Sequence, residues 1–158
     1  MNKFKIINSE SRFLQKMYQR IYKITIIPFT CWLLYLMFLG FGRTQSESNI
    51  VRLLPLYSTW KFLQEKLLWT NSTDIYINIF GNILMFVPFG FLGWVFPKLC
   101  NFKVLIVYFL STIILVEALQ YFTRLGVFDI DDILLNSLGV FLGFLLFQKF
   151  EKWDLAKN

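Results

Sequence analysis

Four apolar stretches dominate the chain and limit the folds that are open to it. They cover residues 24–41, 75–96, 104–122 and 130–147. Each has about the 20 residues that a helix needs to cross the hydrocarbon core of a bilayer. Hydrophobic residues make up 56% of the chain, which is more than an ordinary soluble domain contains. The sequence therefore predicts an all-α integral membrane protein, a bundle of four transmembrane helices.

Basic residues are divided unequally between the segments that connect these stretches. Eleven of the 16 lie before the first stretch, between the second and third, or after the fourth: Lys3, Lys5, Arg12, Lys16, Arg20, Lys23, Lys98, Lys103, Lys149, Lys152 and Lys157. Because basic residues are enriched on the cytoplasmic side of membrane proteins, both termini are predicted to be cytoplasmic. The net charge of +6 then reflects topology, and we expect no nucleic-acid partner.

This topology divides the chain into three parts. Residues 1–23 form a basic cytoplasmic segment, 24–150 the transmembrane domain and 151–158 a cytoplasmic tail. The first apolar stretch is either an anchor or a signal peptide; its 23-residue leader is long for a signal peptide and favours an anchor. Between the first two spans, residues 42–74 are predicted to lie outside, and RLLPLYSTWKFLQEKLLW within them indicates an interfacial amphipathic helix.

Polar side chains recur in the outer parts of the last three spans. They are spaced three or four residues apart, so that helical geometry places each set on one face. The sets are Asn78 and Asn82; Glu117, Gln120 and Arg124; and Asp129, Asp132 and Asn136, continued by Gly139 and Gly143. The sequence therefore predicts one outward-facing polar cluster shared by three helices. Asp131 falls on another face of its helix and is predicted to be a solvated interfacial charge.

Proline and glycine add two structural expectations. Pro88 cannot donate a hydrogen bond to the carbonyl of Leu84, so the second span should kink or break there. Gly139 and Gly143 form a GxxxG motif, which lets another helix approach closely. Such a motif serves packing within a bundle or dimerisation, and we favour packing within the bundle.

The segments that carry these residues resemble a known family. Residues 78–91, 116–124 and 129–143 are similar, in order and separation, to three signature blocks of the VanZ-like membrane family. Its recurrent polar positions correspond to Asn78, Asn82, Glu117, Gln120, Asp129, Asp132 and Asn136, and its structural positions to Pro88, Gly90, Gly139 and Gly143. The chain departs from the pattern after the first span, where it has Arg52-Leu-Leu-Pro55-Leu in place of an Asn-Leu-Ile-Pro-Phe-like block.

The resemblance implies a bacterial cell-membrane protein related to teicoplanin resistance, and it leads to a first functional hypothesis. The outward-facing acidic cluster binds an amphiphile among the membrane lipids, such as a lipoglycopeptide or a lipid-linked wall precursor, and lowers the effect of the drug. The choice of drug follows from the family resemblance alone, whereas the residues themselves indicate only an acidic site. No cofactor is required for this role.

The alternative hypothesis is a membrane-embedded enzyme that acts on a lipid-linked envelope intermediate. Glu117, Asp129 and Asp132 would then hold a divalent cation through oxygen ligands. The chain has no histidine, which excludes Ser-His nucleophiles and His-ligated zinc. A third interpretation is purely structural: hydrogen bonds between membrane helices contribute about 1 kcal/mol each, and Arg124 or Arg52 would neutralise an acid.

Overall fold

The computed structural model describes the backbone of residues 3–40, 51–52 and 73–156, and the side chains of 13–40, 51–52 and 79–152. These residues form four α-helices, two 3₁₀ helices and two short strands. In chain order they are α1 (Lys3–Leu39), β1 (Val51–Arg52), α2 (Thr73–Phe86), η1 (Val87–Trp94), η2 (Pro97–Cys100), α3 (Phe102–Thr123), β2 (Phe128–Asp129) and α4 (Ile130–Ala156).

Three of the helices are long and apolar enough to cross a membrane. They are Phe13–Leu39 in α1, Phe102–Thr123, which is all of α3, and Ile130–Lys152 in α4. The second predicted span differs, because a shorter apolar segment, Ile79–Trp94, takes its place. Its α-helix ends at Phe86 and continues as the 3₁₀ helix η1, with Pro88 at its start. Proline has no N–H for the α-helical ladder, so the change of helix type falls where the sequence predicts a break.

Contacts at three levels show how α1 lies against the other elements. The Nε2 of Gln15 lies 3.5 Å from the Oε1 of Glu151 in α4. Further along α1, the hydroxyl of Tyr22 donates to the carbonyl of Pro88 at 2.8 Å, and the carbonyl of Met37 accepts from Gln120 at 2.7 Å. Gln15 and Met37 are about 33 Å apart along α1, which is close to the thickness of the hydrocarbon core of a bilayer. Helices α1 and α3 therefore run towards the end where α4 begins.

Large apolar side chains cover much of the outside of the bundle. The most exposed include Ile24 at 74% and Phe122 at 75% of their surface, and long rows on α3 and α4 are exposed as well. A protein in water seldom leaves contiguous apolar surface of this extent uncovered. Lipid tails would cover these side chains without free-energy cost, so the surface is that of a multi-pass membrane protein.

The interior is built from aromatic and branched side chains of all four helices. Its buried members are Leu33, Phe86, Leu105, Phe109, Ile113, Ile133, Val140, Phe144 and Phe147. The ring of Phe86 packs edge-on against Phe109, with centroids 5.6 Å apart, and thereby joins α2 to α3. Val140 of α4 is completely buried, which places α4 at the centre of the bundle.

Three glycines bring the backbone of α4 against α2 and η1. A Cβ added at Gly139 would overlap the carbonyl oxygen of Ile83, and one at Gly143 would overlap that of Val87. On the other side of the contact, a Cβ at Gly90 would overlap the backbone of Gly143 and Phe144. The GxxxG motif therefore packs within the chain, as we expect from the sequence.

We predict that Gly139→Val or Gly143→Val separates α4 from α2 and lowers the free energy of unfolding by about 1–3 kcal/mol or more, since overpacking here meets backbone atoms. Thermal unfolding of the detergent-extracted protein measures the loss. Gly81→Ala is the matched control, because a Cβ there has no atom within 4 Å. Equal melting temperatures for all three variants would contradict the close contact.

The predicted interfacial helix within 42–74 lies outside the described residues, apart from its first residue, Arg52. Together with Val51, Arg52 forms β1, which pairs in parallel with β2. The register places Val51 beside Phe128 and Arg52 beside Asp129. The strand pair thus attaches residues 51–52 to the start of α4.

Candidate functional site

The candidate site lies where α3 ends and α4 begins. In the last turns of α3, Glu117 and Gln120 are buried, with 1% and 3% of their surface exposed. The helix stops at Thr123, and Arg124 adopts a left-handed conformation with φ of 60° while its N–H donates to the last carbonyls. This tight stop leaves only a few residues before β2, so Asp129 lies beside Glu117.

Asp129 caps the N-terminus of α4 and links it to α3. Its Oδ1 accepts the backbone N–H of Asp131 at 2.9 Å, which satisfies one of the unpaired amides of the first turn. The N–H of Asp129 itself points at the Oε2 of Glu117, 3.4 Å away. The positive end of the helix dipole favours negatively charged side chains near this position.

Asp132 connects the same helix end to α2. Its Oδ1 accepts a hydrogen bond from the Nδ2 of Asn82 at 2.8 Å. The contact lies two turns above the Gly139 contact with Ile83 along α4, on the same face of that helix. The close approach of the two backbones therefore brings a short carboxylate and a short amide within hydrogen-bond distance.

Arg52 supplies a cation from β1. Its Nη1 lies 3.5 Å from the Oδ2 of Asp129, beside the two-residue strand pair that holds Arg52 in register. The arginine side chain is half-exposed, which makes this a long, solvated and weak ion pair. Sequence reasoning named Arg52 only as one possible source of positive charge; the strand pair has no signal of its own in two residues.

Asn136 continues the polar face one turn below Asp132. It is 1% exposed, and its Oδ1 has no hydrogen-bond partner. On α4 it lies between Asp132, which contacts Asn82, and Gly139, which contacts Ile83. An unpaired amide oxygen in the interior is costly, so this atom is the one polar group of the described cluster that the fold does not explain.

The remaining predicted residues lie apart from this cluster or outside the described side chains. Gln120 donates to the carbonyl of Met37 and ties α3 to the end of α1. Arg124 is exposed and forms no ion pair with a described residue. Asn78 lies in α2, but its side chain is outside the described set.

The prediction that Asp131 is a solvated charge is wrong. Only 4% of its surface is exposed, less than that of Asp129. Helical periodicity correctly places Asp131 on a different face from Asp132. In the first turn of a helix, however, burial depends on what lies across the helix end, which periodicity does not specify.

A metal site does not follow from the described residues. Among residues 13–40, 51–52 and 79–152, no group of three histidine, cysteine, aspartate or glutamate side chains is arranged to hold a metal ion. The carboxylates of Glu117, Asp129 and Asp132 accept hydrogen bonds from N–H groups of the protein, namely two backbone amides and the side-chain amide of Asn82. What the cluster offers is a set of hydrogen-bond acceptors.

A second polar group lies at the opposite end of the bundle. The Oε1 of Glu151 accepts from the indole N–H of Trp94 at 2.8 Å and from Gln15. Nearby, burial and the charge of Glu151 raise the pKa of the Cys100 thiol above its usual value. This group belongs to the end where α1 starts and α4 finishes, and it provides a matched carboxylate far from the candidate site.

Comparison with known protein families shows to which family the chain belongs. The model of the VanZ/LLP1 family matches residues 23–151, which include all four apolar segments and the whole candidate site. The chain belongs to the VanZ/LLP1 family. No curated protein and no solved structure matches the chain. The family match therefore confirms the resemblance that the three sequence blocks carry.

Within this VanZ/LLP1 domain, Gln120 has a structural role that can be tested. We predict that Gln120→Leu removes the bond to Met37 and lowers the free energy of unfolding by about 1 kcal/mol, because the carbonyl at the end of α1 loses its donor. Thr123→Val is the control, since its hydroxyl bonds only to carbonyls of its own helix. Thermal unfolding in detergent compares the two; a larger loss for the threonine variant would contradict the assignment.

Proposed function

We propose that the protein is a four-span membrane protein of the bacterial cell membrane that lowers the effect of teicoplanin-type lipoglycopeptides. In this proposal both termini are cytoplasmic, and the cluster of Glu117, Asp129, Asp132, Asn82 and Asn136 binds an amphiphilic ligand at the outer face. Family membership supports the drug class, and the described cluster supports a binding role.

The observation that carries the proposal is the burial of acids at one end of the bundle. Glu117, Asp129 and Asp131 each expose less than a tenth of their surface, and Asp132 is partly buried beside them. Buried carboxylates are costly in a membrane protein and mark functional sites more often than structural ones. Amides alone would join the helices at lower cost, as Gln120 joins α3 to α1.

The charge distribution supports the orientation. At the end of the bundle opposite the acids, the exposed basic side chains include Lys16, Arg20, Lys98, Lys103, Lys149 and Lys152. Since cytoplasmic segments retain lysine and arginine, that end belongs inside and the acidic end outside. A ligand in the outer leaflet then reaches the cluster without crossing the membrane.

We predict that a cysteine at Ser48 is labelled by a membrane-impermeant maleimide in intact cells, whereas one at Lys157 is not. The background is a chain with Cys31→Ala and Cys100→Ala, and labelling after lysis confirms that each cysteine is reactive. The reverse pattern would show an inverted topology and place the acidic cluster in the cytoplasm.

We predict that Glu117→Gln, Asp129→Asn and Asp132→Asn lower teicoplanin tolerance while membrane abundance stays unchanged. Each variant keeps the size and the acceptor oxygen of the side chain but removes its charge. The measurement is drug susceptibility of expressing cells beside the abundance and melting temperature of each variant.

Glu151→Gln is the control, because the same change at the opposite end keeps the oxygen that accepts from Trp94. Asp131→Asn would not serve as a control, because Asp131 is itself buried at the same helix end. If tolerance falls only in step with abundance, the acids are structural; if the parent chain gives no tolerance at all, the drug assignment itself is wrong.

A further inference from the structure

The buried acceptor of Asn136 points to the kind of group that the cluster binds. Its Oδ1 lacks a partner although 99% of the residue surface is buried. Buried polar side-chain atoms usually have hydrogen-bond partners, as the nitrogen of Gln120 has in the carbonyl of Met37. The oxygen of Asn136 is therefore placed to accept a hydrogen bond that the chain itself does not supply.

Further acceptors precede Asn136 along the same face of α4. Asp132 lies one turn above it on the same face of α4, about 6 Å along the helix axis. Asp129 follows at the helix end, with Glu117 against it. The N–H donors that bind these carboxylates include the amide of Asn82, two backbone N–H groups and the guanidinium of Arg52.

Arg52 shows that the site accepts a cationic nitrogen. Its guanidinium reaches Asp129 only at 3.5 Å and stays half-exposed, so it occupies the rim of the cluster. A compact ammonium carries three donors on one atom and needs no fixed coordination geometry. It suits a row of carboxylate and amide oxygens better than a metal ion does, since metal ions demand ligands at short and regular distances.

We propose that the site takes the primary ammonium group of an amphiphile, held between the carboxylate of Asp132 and the amide oxygen of Asn136 with Asp129 and Glu117 nearby. This inference rests on the proposed ligand site and names the chemistry of its ligand. The same ammonium chemistry occurs in an amine-bearing lipid headgroup and in a free amphiphilic amine.

The test uses hexylammonium as the probe and 1-hexanol as its uncharged analogue. The full-length chain is purified in a neutral maltoside detergent, and its melting temperature is followed with increasing concentrations of each probe at neutral pH. We expect hexylammonium to raise the melting temperature at concentrations where hexanol does not. Equal shifts with both probes would overturn the proposal.

Two variants assign the effect to the site. Asn136→Leu removes the acceptor without leaving a buried polar atom, so it should keep or raise the melting temperature of the free protein while weakening hexylammonium binding about tenfold or more. Asp132→Asn should weaken binding as well while it keeps the bond to Asn82. Ser137→Ala is the matched control, because its hydroxyl bonds only to the carbonyl of Ile133 in its own helix. Undiminished binding in Asn136→Leu would overturn the assignment.

Nanodiscs separate the two sources of the ammonium. In phosphatidylcholine, whose headgroup has no N–H donor, the hexylammonium effect should persist. In phosphatidylethanolamine its loss would identify the lipid headgroup as the occupant, and its persistence would identify a free amine; no effect in either lipid would overturn the proposal.

Drug tolerance is a separate readout: charge-selective binding without tolerance rejects the proposed function alone, and tolerance without charge selectivity rejects this inference alone.

Discussion

The backbone contact between α4 and the α2–η1 segment determines which side chains fit at the candidate site. Gly139 and Gly143 let the carbonyls of Ile83 and Val87 lie directly on α4, and Gly90 does the same from the other side. With the two backbones this close, only short side chains fit further up the same face. Asn82 and Asp132 occupy that position and form the 2.8 Å bond that begins the acidic cluster.

The change of helix type at Pro88 belongs to the same arrangement. An eight-residue 3₁₀ helix rises more steeply than an α-helix and has weaker hydrogen bonds. Its carbonyls are available to other elements, and Tyr22 of α1 donates to that of Pro88. The change of helix type is therefore contacted from two sides, by the hydroxyl of Tyr22 in α1 and by Gly143 in α4. Asn82 lies in the α-helix that precedes it.

Sequence patterns predicted the parts of the molecule that follow local rules. Hydropathy located the helices, proline located the change of helix type, and the spacing of three and four residues placed Asp132, Asn136, Gly139 and Gly143 on one face. The predictions fail where contacts between distant parts of the chain determine the position of a side chain. Asp131 is buried by packing across a helix end, and Arg52 is placed by a strand pair too short to have a pattern. The α-helix of the first span also begins well before its apolar residues, at Lys3, because polar residues continue a helix as readily as apolar ones.

In the proposed ligand site, the carboxylates of the cluster act as ionised hydrogen-bond acceptors for a cationic group. Infrared difference spectra of the parent and Asp132→Asn, recorded in lipid at neutral pH, test it most directly because protonated carboxyl groups have a resolved carbonyl band. We predict that the parent and Asp132→Asn do not differ in the band of protonated carboxyl groups. We also predict that added hexylammonium shifts the band of the ionised carboxylates. A protonated carboxyl band that is present in the parent and absent from the variant would contradict it, because a protonated acid would be a donor where the account requires an acceptor.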